Sequence, residues 1–149
     1  MFMVVTGAFV GFLTVFTFPF HVDGRYKFAR SWAVMNLWAL KVICNLTYRA
    51  EGFENIPQGG VVVLSKHQST WDTIILQIIL PPVRWVLKRE LLRVPFFGWG
   101  LAMLKPIAID RSAGRKAVAQ LIEQGKPMLA DGYWVIVFAE GTRTHPGAT

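Results

Sequence analysis

The chain has 149 residues, enough for one domain with a sizeable core, which removes any need for a disulfide- or metal-stapled miniprotein. Apolar residues make up 53% and charged residues 17%, which excludes intrinsic disorder, and the single Cys44 excludes an intrachain disulfide framework or a Cys-rich zinc site. Sixteen Lys and Arg against nine Asp and Glu leave a net charge of +7, so a polyanionic partner is expected: nucleic acid, an anionic lipid surface or a phosphorylated substrate.

Residues 1–22 carry no charged side chain, and His21 is their only titratable one. A helix of about twenty residues is about 30 Å long, enough to cross a bilayer or embed deeply in it. A cleaved signal peptide fits poorly, since no basic region precedes the run and no small-residue cleavage pattern follows it. A buried soluble helix is the other alternative, although the Phe-rich tail ending near Pro19 suits lipid better. Arg25, Lys27 and Arg30 follow, then a second apolar stretch over residues 32–48, interrupted by Asn36 and Lys41. Basic residues flanking membrane segments stay on the cytoplasmic side. Residues 1–48 are therefore expected to be a membrane-anchoring helix pair joined by a short basic turn. The pair either crosses once and lies along the surface or dips into one leaflet.

From residue 49 onward the pattern becomes short β-rich runs separated by helical ones, and residues 49–149 are taken as a second domain. Gly59 and Gly60 precede Val61, Val62, Val63 and Leu64, a continuous apolar run suited to a strand buried on both faces. Residues 84–88, 106–110 and 134–139 are further predicted strands, and residues 72–80 and 112–130 predicted helices. In the second helix Val118, Leu121, Ile122, Met128 and Leu129 form a stripe interrupted near Gly125 and Pro127. Alternation of strands and helices predicts an α/β fold with a mostly parallel sheet flanked by helices.

Polar residues cluster after the strands. The segment from Ser65 to Asp72 follows the first, Asp110 and Arg111 the third, and Glu140, Gly141, Thr142 and Arg143 the fourth. Ligands of open α/β sheets bind outside the carboxyl ends of strands, which puts His67, Asp72, Arg111, Glu140 and Arg143 in reach of one site. His67 and Asp72 are five apart, too far for neighbours within one regular helix. With His67 in the turn and Asp72 in the first helical turn, the carboxylate can meet the imidazole. It then fixes the tautomer and leaves the other ring nitrogen to accept a proton. The alternative is that His67 caps a helix and Asp72 is a solvated first-turn acid.

No G-x-S-x-G elbow surrounds Ser65, Ser69 or Ser112, which disfavours a covalent serine mechanism. His67 and His145 lack ligand-spaced partners, so no metal is expected. Lys66, Lys105, Arg111 and Arg143 can serve an anion, because the Arg fork matches phosphate oxygens and Gly141 permits close backbone approach. Nucleic-acid binding is the weakest use of the charge, since no recognition element concentrates it.

The segments K-H-Q-S-T-W-D, P-I-A-I-D-R and F-A-E-G-T-R, in this order, resemble the first three sequence blocks of the glycerolipid acyltransferases, best the bacterial 1-acyl-sn-glycerol-3-phosphate acyltransferase branch. The resemblance runs from about residue 49 to the end, and the apolar N-terminal pair resembles the anchoring helices that precede the domain in bacterial members. It implies that His67 deprotonates the sn-2 hydroxyl of lysophosphatidic acid with support from Asp72, and that the hydroxyl attacks an acyl thioester directly. Arg111 with Lys105 would hold the glycerol phosphate, and Glu140, Gly141, Thr142 and Arg143 would place the acceptor. The implied donor is acyl-CoA or acyl-acyl-carrier protein, with no further cofactor, at the cytoplasmic face of a bacterial inner membrane. The product would be phosphatidic acid for phospholipid synthesis.

Three positions depart from the family pattern: Ala139 stands where Pro is usual, Lys66 where Asn is frequent and Lys105 where Gly is usual. These departures bear on loop shape and substrate preference more than on reaction class. A fourth block is expected beyond Thr149, so residues 1–149 are expected to be a truncated domain with an incompletely covered sheet and little activity alone. Residues 91–100 mix apolar anchors with Arg93 and follow Arg84, Lys88 and Arg89. They are either core with a basic edge or a headgroup-zone contact in which the cations meet anionic lipid. The same chemistry on another lysophospholipid or an amine-lipid acceptor, and a noncatalytic basic membrane-surface module, are the competing readings.

Overall fold

The structure is a computed structural model and describes residues 1–141. Its elements in chain order are α1 (Phe2–Val15), α2 (Val22–Cys44), β1 (Val62–Ser65), α3 (Thr70–Ile79), β2 (Val83–Lys88), α4 (Phe97–Met103), β3 (Ile107–Ile109), α5 (Arg115–Ala130) and β4 (Trp134–Phe138). The four strands form one parallel sheet in the order β1-β4-β2-β3. The α/β fold with a parallel sheet flanked by helices is thus present, with the last strand inserted between the first two.

Residues alternate between the sheet faces along each strand. Val83 of β2 and Trp134 and Ile136 of β4 pack on one face with Tyr26 of α2 and Leu76 of α3. Val86, Ile107, Ile109 and Val135 pack on the other with Leu121, Met128 and Leu129 of α5. Continuous β-branched and aromatic runs form β2, β3 and β4 because both of their faces are covered, whereas β1, expected to be buried on both faces, lies at the edge of the sheet and leaves Val62 and Leu64 49% and 71% exposed on one face. Helix α5 continues through Pro127, and Gly125 lies buried close to Ile107.

The N-terminal region departs from expectation in three ways. Helix α1 ends at Val15, a 14-residue helix about 21 Å long, and the chain turns through Phe16–Phe20. No helix among the described residues is long and apolar enough to cross a membrane. The basic cluster does not form a turn. Arg25, Lys27 and Arg30 lie inside α2, which starts at Val22 with Asp23 favourably placed in its first turn. Nor does packing stop at residue 48: Tyr26 is 1% exposed within the sheet core, and Arg30 donates to the Ile78 carbonyl at 2.7 Å. Residues 1–48 share their core with the sheet because α2 supplies the cover for one of its faces.

Helices α1 and α4 meet backbone to backbone. A Cβ on Gly11 would lie 2.8 Å from the Phe96 carbonyl oxygen, and one on Gly100 would strike the Gly11 carbonyl. Only glycine permits that approach. Arg84, expected either on a solvated basic edge of the core or at a headgroup contact, is 2% exposed instead. Its guanidinium donates to the Leu104 carbonyl at 3.2 Å and lies 3.9 Å above the Tyr133 ring, so it anchors the interior rather than meeting lipid. Lys88 and Arg89 of the same run are exposed.

Candidate active site

The loop after β1 and the start of α3 form a compact polar unit. Ser69 is the N-cap of α3: its hydroxyl accepts from Trp71 N–H at 3.1 Å, while its own N–H donates to Asp72 at 2.8 Å. This capping box satisfies amide groups that a helix start otherwise leaves unpaired. Asp72 Oδ2 also accepts from Gln68 N–H at 2.7 Å and lies 3.3 Å from His67 Nδ1. One carboxylate thus both caps the helix and faces the imidazole. The pairing expected from the sequence is present, whereas the alternative is not: Ser69 rather than His67 caps the helix, and Asp72 is largely sheltered from solvent.

Burial acts to raise the Asp72 pKa. The N–H groups of Ser69 and Gln68 and the His67 ring favour the anion more strongly, and the net result lies below the usual value for an aspartate. The side chains of His67 and Asp72 are 16% and 19% exposed, so the pair is sheltered yet accessible.

The imidazole is held from a second side. Phe138, the last residue of β4, stacks on His67 with ring centroids 4.0 Å apart and planes inclined by 19°. Parallel pairing of Ser65 with Phe138 brings the ends of β1 and β4 together, and Trp85 of β2 stacks behind Phe138 at 6.0 Å. Sequence reasoning missed Phe138 as a site residue, although it opens the third block. The missing signal was the β1–β4 pairing, which spacing along the chain does not reveal.

Arg111 begins the turn after β3, and Asp110 fixes that turn by accepting from Ser112 N–H at 2.9 Å. The Ser112 hydroxyl and N–H favour the Asp110 anion and lower its pKa. The Arg111 guanidinium reaches past the end of β2 and donates to the Gly141 carbonyl. Gly141 N–H in turn donates to the Phe138 carbonyl at 3.0 Å, and its φ of 66° suits glycine. Glu140 is half-buried beside it, and its Oε2 has no hydrogen-bond partner among the described residues. The carboxyl ends of β1, β3 and β4 therefore bring together His67, Asp72, Arg111, Glu140 and Gly141. Thr142 and Arg143 lie outside the described residues.

Lys105 is not brought to this cluster. It precedes β3, whereas Arg111 follows it, and residues 106–110 between them separate the two by roughly 15–20 Å of extended chain. The block alignment that paired Lys105 with Arg111 overlooked the strand between them.

The acyltransferase family model matches residues 47–149, which include all of these residues. The chain belongs to the acyltransferase family. It is 51% identical over 124 residues to the 1-acyl-sn-glycerol-3-phosphate acyltransferase of Pseudomonas aeruginosa, covering 83% of this chain and 48% of that protein. It is 30% identical over 109 residues to the enzyme of the same name from Escherichia coli, covering 72% and 42%. The crystal structure of the 1-acyl-sn-glycerophosphate acyltransferase PlsC from Thermotoga maritima superposes with a TM-score of 0.67 at 25% identity, covering 98% of this chain and 59% of that one. The chain thus spans about half the length of the curated relatives it matches. Within this family, the strand-end cluster is the candidate active site.

Proposed function

We propose that this acyltransferase moves an acyl group from a thioester, acyl-CoA or acyl-acyl-carrier protein, to the sn-2 hydroxyl of 1-acyl-sn-glycerol 3-phosphate, giving phosphatidic acid. The observation that carries this reading is the His67–Asp72 pair, in a chain 51% identical to a relative bearing that enzyme's name, with Arg111 tied to Gly141 just after the strand whose Phe138 stacks on His67.

With Nδ1 facing Asp72, the proton of the acceptor hydroxyl passes to Nε2 of His67. The hydroxyl oxygen forms its new bond to the thioester carbonyl carbon, and the Asp72 anion stabilises the imidazolium. Collapse of the tetrahedral intermediate breaks the carbon–sulfur bond, and the imidazolium returns its proton to the leaving thiolate. Arg111 offers its fork to the acceptor phosphate, and Glu140, Gly141, Thr142 and Arg143 shape the acceptor position. No metal ion or tightly bound cofactor takes part in this scheme.

A mostly apolar cavity of about 610 Å³ lies between α1, α2 and the start of α4. Gly7, Trp32, Ala39, Ile43 and Phe97 line it, and Thr70 at the start of α3 also borders it. It suits an acyl chain leading away from the catalytic box. The outward faces of α1 and of the second half of α2 expose Val5, Phe9, Trp38 and Val42. On this reading the helices embed in one leaflet of the bacterial inner membrane with the site toward the cytoplasm, so a membrane-dissolved acceptor reaches His67 from the bilayer.

The test is an acceptor and donor panel on the full-length protein with a His67→Ala variant beside it. Phosphatidic acid formation from lysophosphatidic acid, lost in the variant, is the expected result. Unchanged turnover in the variant rules out the assigned base. Transfer confined to another lysophospholipid or an amine lipid rules out the acceptor.

A further inference from the structure

Part of the apolar stripe expected along α5 does not face the sheet. Leu121, Met128 and Leu129 pack on it, but Val118 and Ile122 are 57% and 58% exposed. Arg115, Val118, Ile122 and Lys126 recur three or four positions apart and so share one outward face of the helix, with a cation at each end of an apolar pair. Lys116 flanks the same face at the helix start, and Glu123 is the one acid of the helix. None of these three cations forms an ion pair among the described residues.

Helix stability does not account for this composition. Arg115 and Lys116 stand in a first turn that holds no acidic residue and no side-chain cap, so they oppose the positive end of the helix dipole. A local preference broken without gain to the fold points to a use outside it. The face also lies at the reacting end of the sheet, because α5 follows the Arg111 turn with only Gly114 between them. Exposed Arg89, just after β2, extends the cations there and donates to the Gln120 side-chain oxygen of α5 at 3.3 Å. Between α5 and the sheet lies a cavity of about 210 Å³, bordered by Ala117, Leu121, Arg111, Gly141 and Phe138, the ring that stacks on His67. Ile122 is about 10 Å along the helix axis from Arg115.

We propose that this face of α5 docks an acyl carrier protein through an acidic, amphipathic surface of that partner: Val118 and Ile122 seat its apolar residues, and Arg115, Lys116 and Lys126 pair with its carboxylates. This rests on the reaction proposed above and names the carrier protein, rather than acyl-CoA, as the donor that the surface fits. An acidic protein surface matches it in both respects, covering the apolar pair and compensating cations that have no acidic partner among the described residues. The nucleotide part of acyl-CoA would use the cations but leave Val118 and Ile122 open. From a carrier docked there, the thioester arm passes the start of α5 toward Arg111 and Phe138, and so to His67.

Steady-state kinetics of the full-length protein with acyl-carrier protein and with acyl-CoA bearing the same chain test the surface, beside direct binding of labelled acyl-carrier protein, which needs no turnover. An Arg115→Glu, Lys126→Glu double variant is expected to raise KM for acyl-carrier protein about 10-fold and to weaken its binding to the same degree, with KM for acyl-CoA within twofold of wild type. Ile122→Ser is expected to weaken both about fivefold, again with acyl-CoA kinetics unchanged. Turnover with acyl-CoA reports an intact fold and site, so equal losses with both donors overturn the proposal: the face then packs against the rest of the protein or serves both donors. Carrier-protein binding and KM within twofold of wild type in both variants overturn it, as does wild-type use of acyl-CoA alone. So does an Ile122→Ser protein that turns from dimer to monomer while still binding the carrier, since the face then serves a second copy. Absence of transfer from either donor counts against the assigned reaction, and the binding measurement still decides the surface.

Discussion

The His67 imidazole lies flat against the Phe138 ring, 4.0 Å between centroids, while its Nδ1 faces Asp72 at 3.3 Å. Two contacts at right angles in function fix one ring: the carboxylate sets its rotation and tautomer, and the phenyl face sets its plane. If His67 is the base proposed above, a ring held in this way keeps Nε2 in one orientation, which is the geometric condition for an efficient proton transfer.

On the proposed mechanism, Phe138 acts as a positioning residue for His67. Phe138→Ala should lower kcat about 10–100-fold with KM for lysophosphatidic acid changed less than twofold, because the substrate contacts stay while the base loses its support. Phe138→Tyr, which keeps the aromatic face, should recover most of kcat. Steady-state kinetics of the three proteins check this, and equal losses in both variants would mean that the ring serves folding alone.

On the proposed mechanism, Asp72 couples catalysis to folding through one carboxylate. Asp72→Asn keeps an acceptor for the α3 cap yet removes the charge behind the imidazolium, so kcat should fall about 10²–10⁴-fold while the fold survives at neutral pH. The sign of the pH effect follows from the lowered pKa of Asp72. Its contribution to stability is fully present above the unfolded-state value of about 3.9 and is lost as pH falls below that value through the folded pKa. Acid unfolding followed by circular dichroism should show this loss in the wild type and not in Asp72→Asn.

The strands were legible in the sequence because a run such as residues 134–138 has no polar face to place and is covered on both faces; the same reasoning overstated the cover of β1, where Val62 and Leu64 are exposed. The order β1-β4-β2-β3 was not legible, since pairing between residues as remote as Ser65 and Phe138 leaves no local pattern. That hidden pairing is also why Phe138 escaped notice. His67, Asp72 and Arg111 were legible as strand-end polar residues, and the block resemblance added their roles. Lys105 was misplaced although the strand separating it from Arg111 had itself been predicted, so the information was present and unused. The early end of α1 has no strong breaker in the sequence, since Pro19 comes only after Val15; the tertiary fit of Gly11 against α4 is what positions that helix.

Tyr26 ties α2 to the sheet and gives the core an alkaline limit. Burial pushes its phenol up to about 12 from an ordinary value near 10, with the backbone at Val83 and the charges of Arg30 and Arg84 acting in the opposite direction. The raised value means that the neutral phenol stabilises the fold fully below about pH 10, and that this contribution fades as pH rises toward 12. Tyr26→Phe should flatten the loss of thermal stability across pH 10–12 that the wild type shows, a difference on the order of 2–3 kcal/mol at the upper end. Melting curves across that range provide the measurement, and identical alkaline profiles would show that the phenol ionises without unfolding the core.

Two helical glycines, Gly100 at the α1–α4 contact and Gly24 in α2, carry opposite predictions. A Cβ at Gly100 would strike the Gly11 carbonyl, and backbone on both sides leaves nothing flexible to yield. Gly100→Ala should therefore separate the helices and destabilise by about 1–3 kcal/mol, the range typical of overpacking. Gly24 lies in α2, where a Cβ would meet only the Phe20 Cβ at 3.5 Å, an ordinary contact. There Gly24→Ala should stabilise by about 0.5–1 kcal/mol, since alanine loses less backbone freedom in a helix. Thermal unfolding of both variants in one detergent decides the matter: a Gly100→Ala protein as stable as wild type would mean that α1 is not seated on α4 through Gly11.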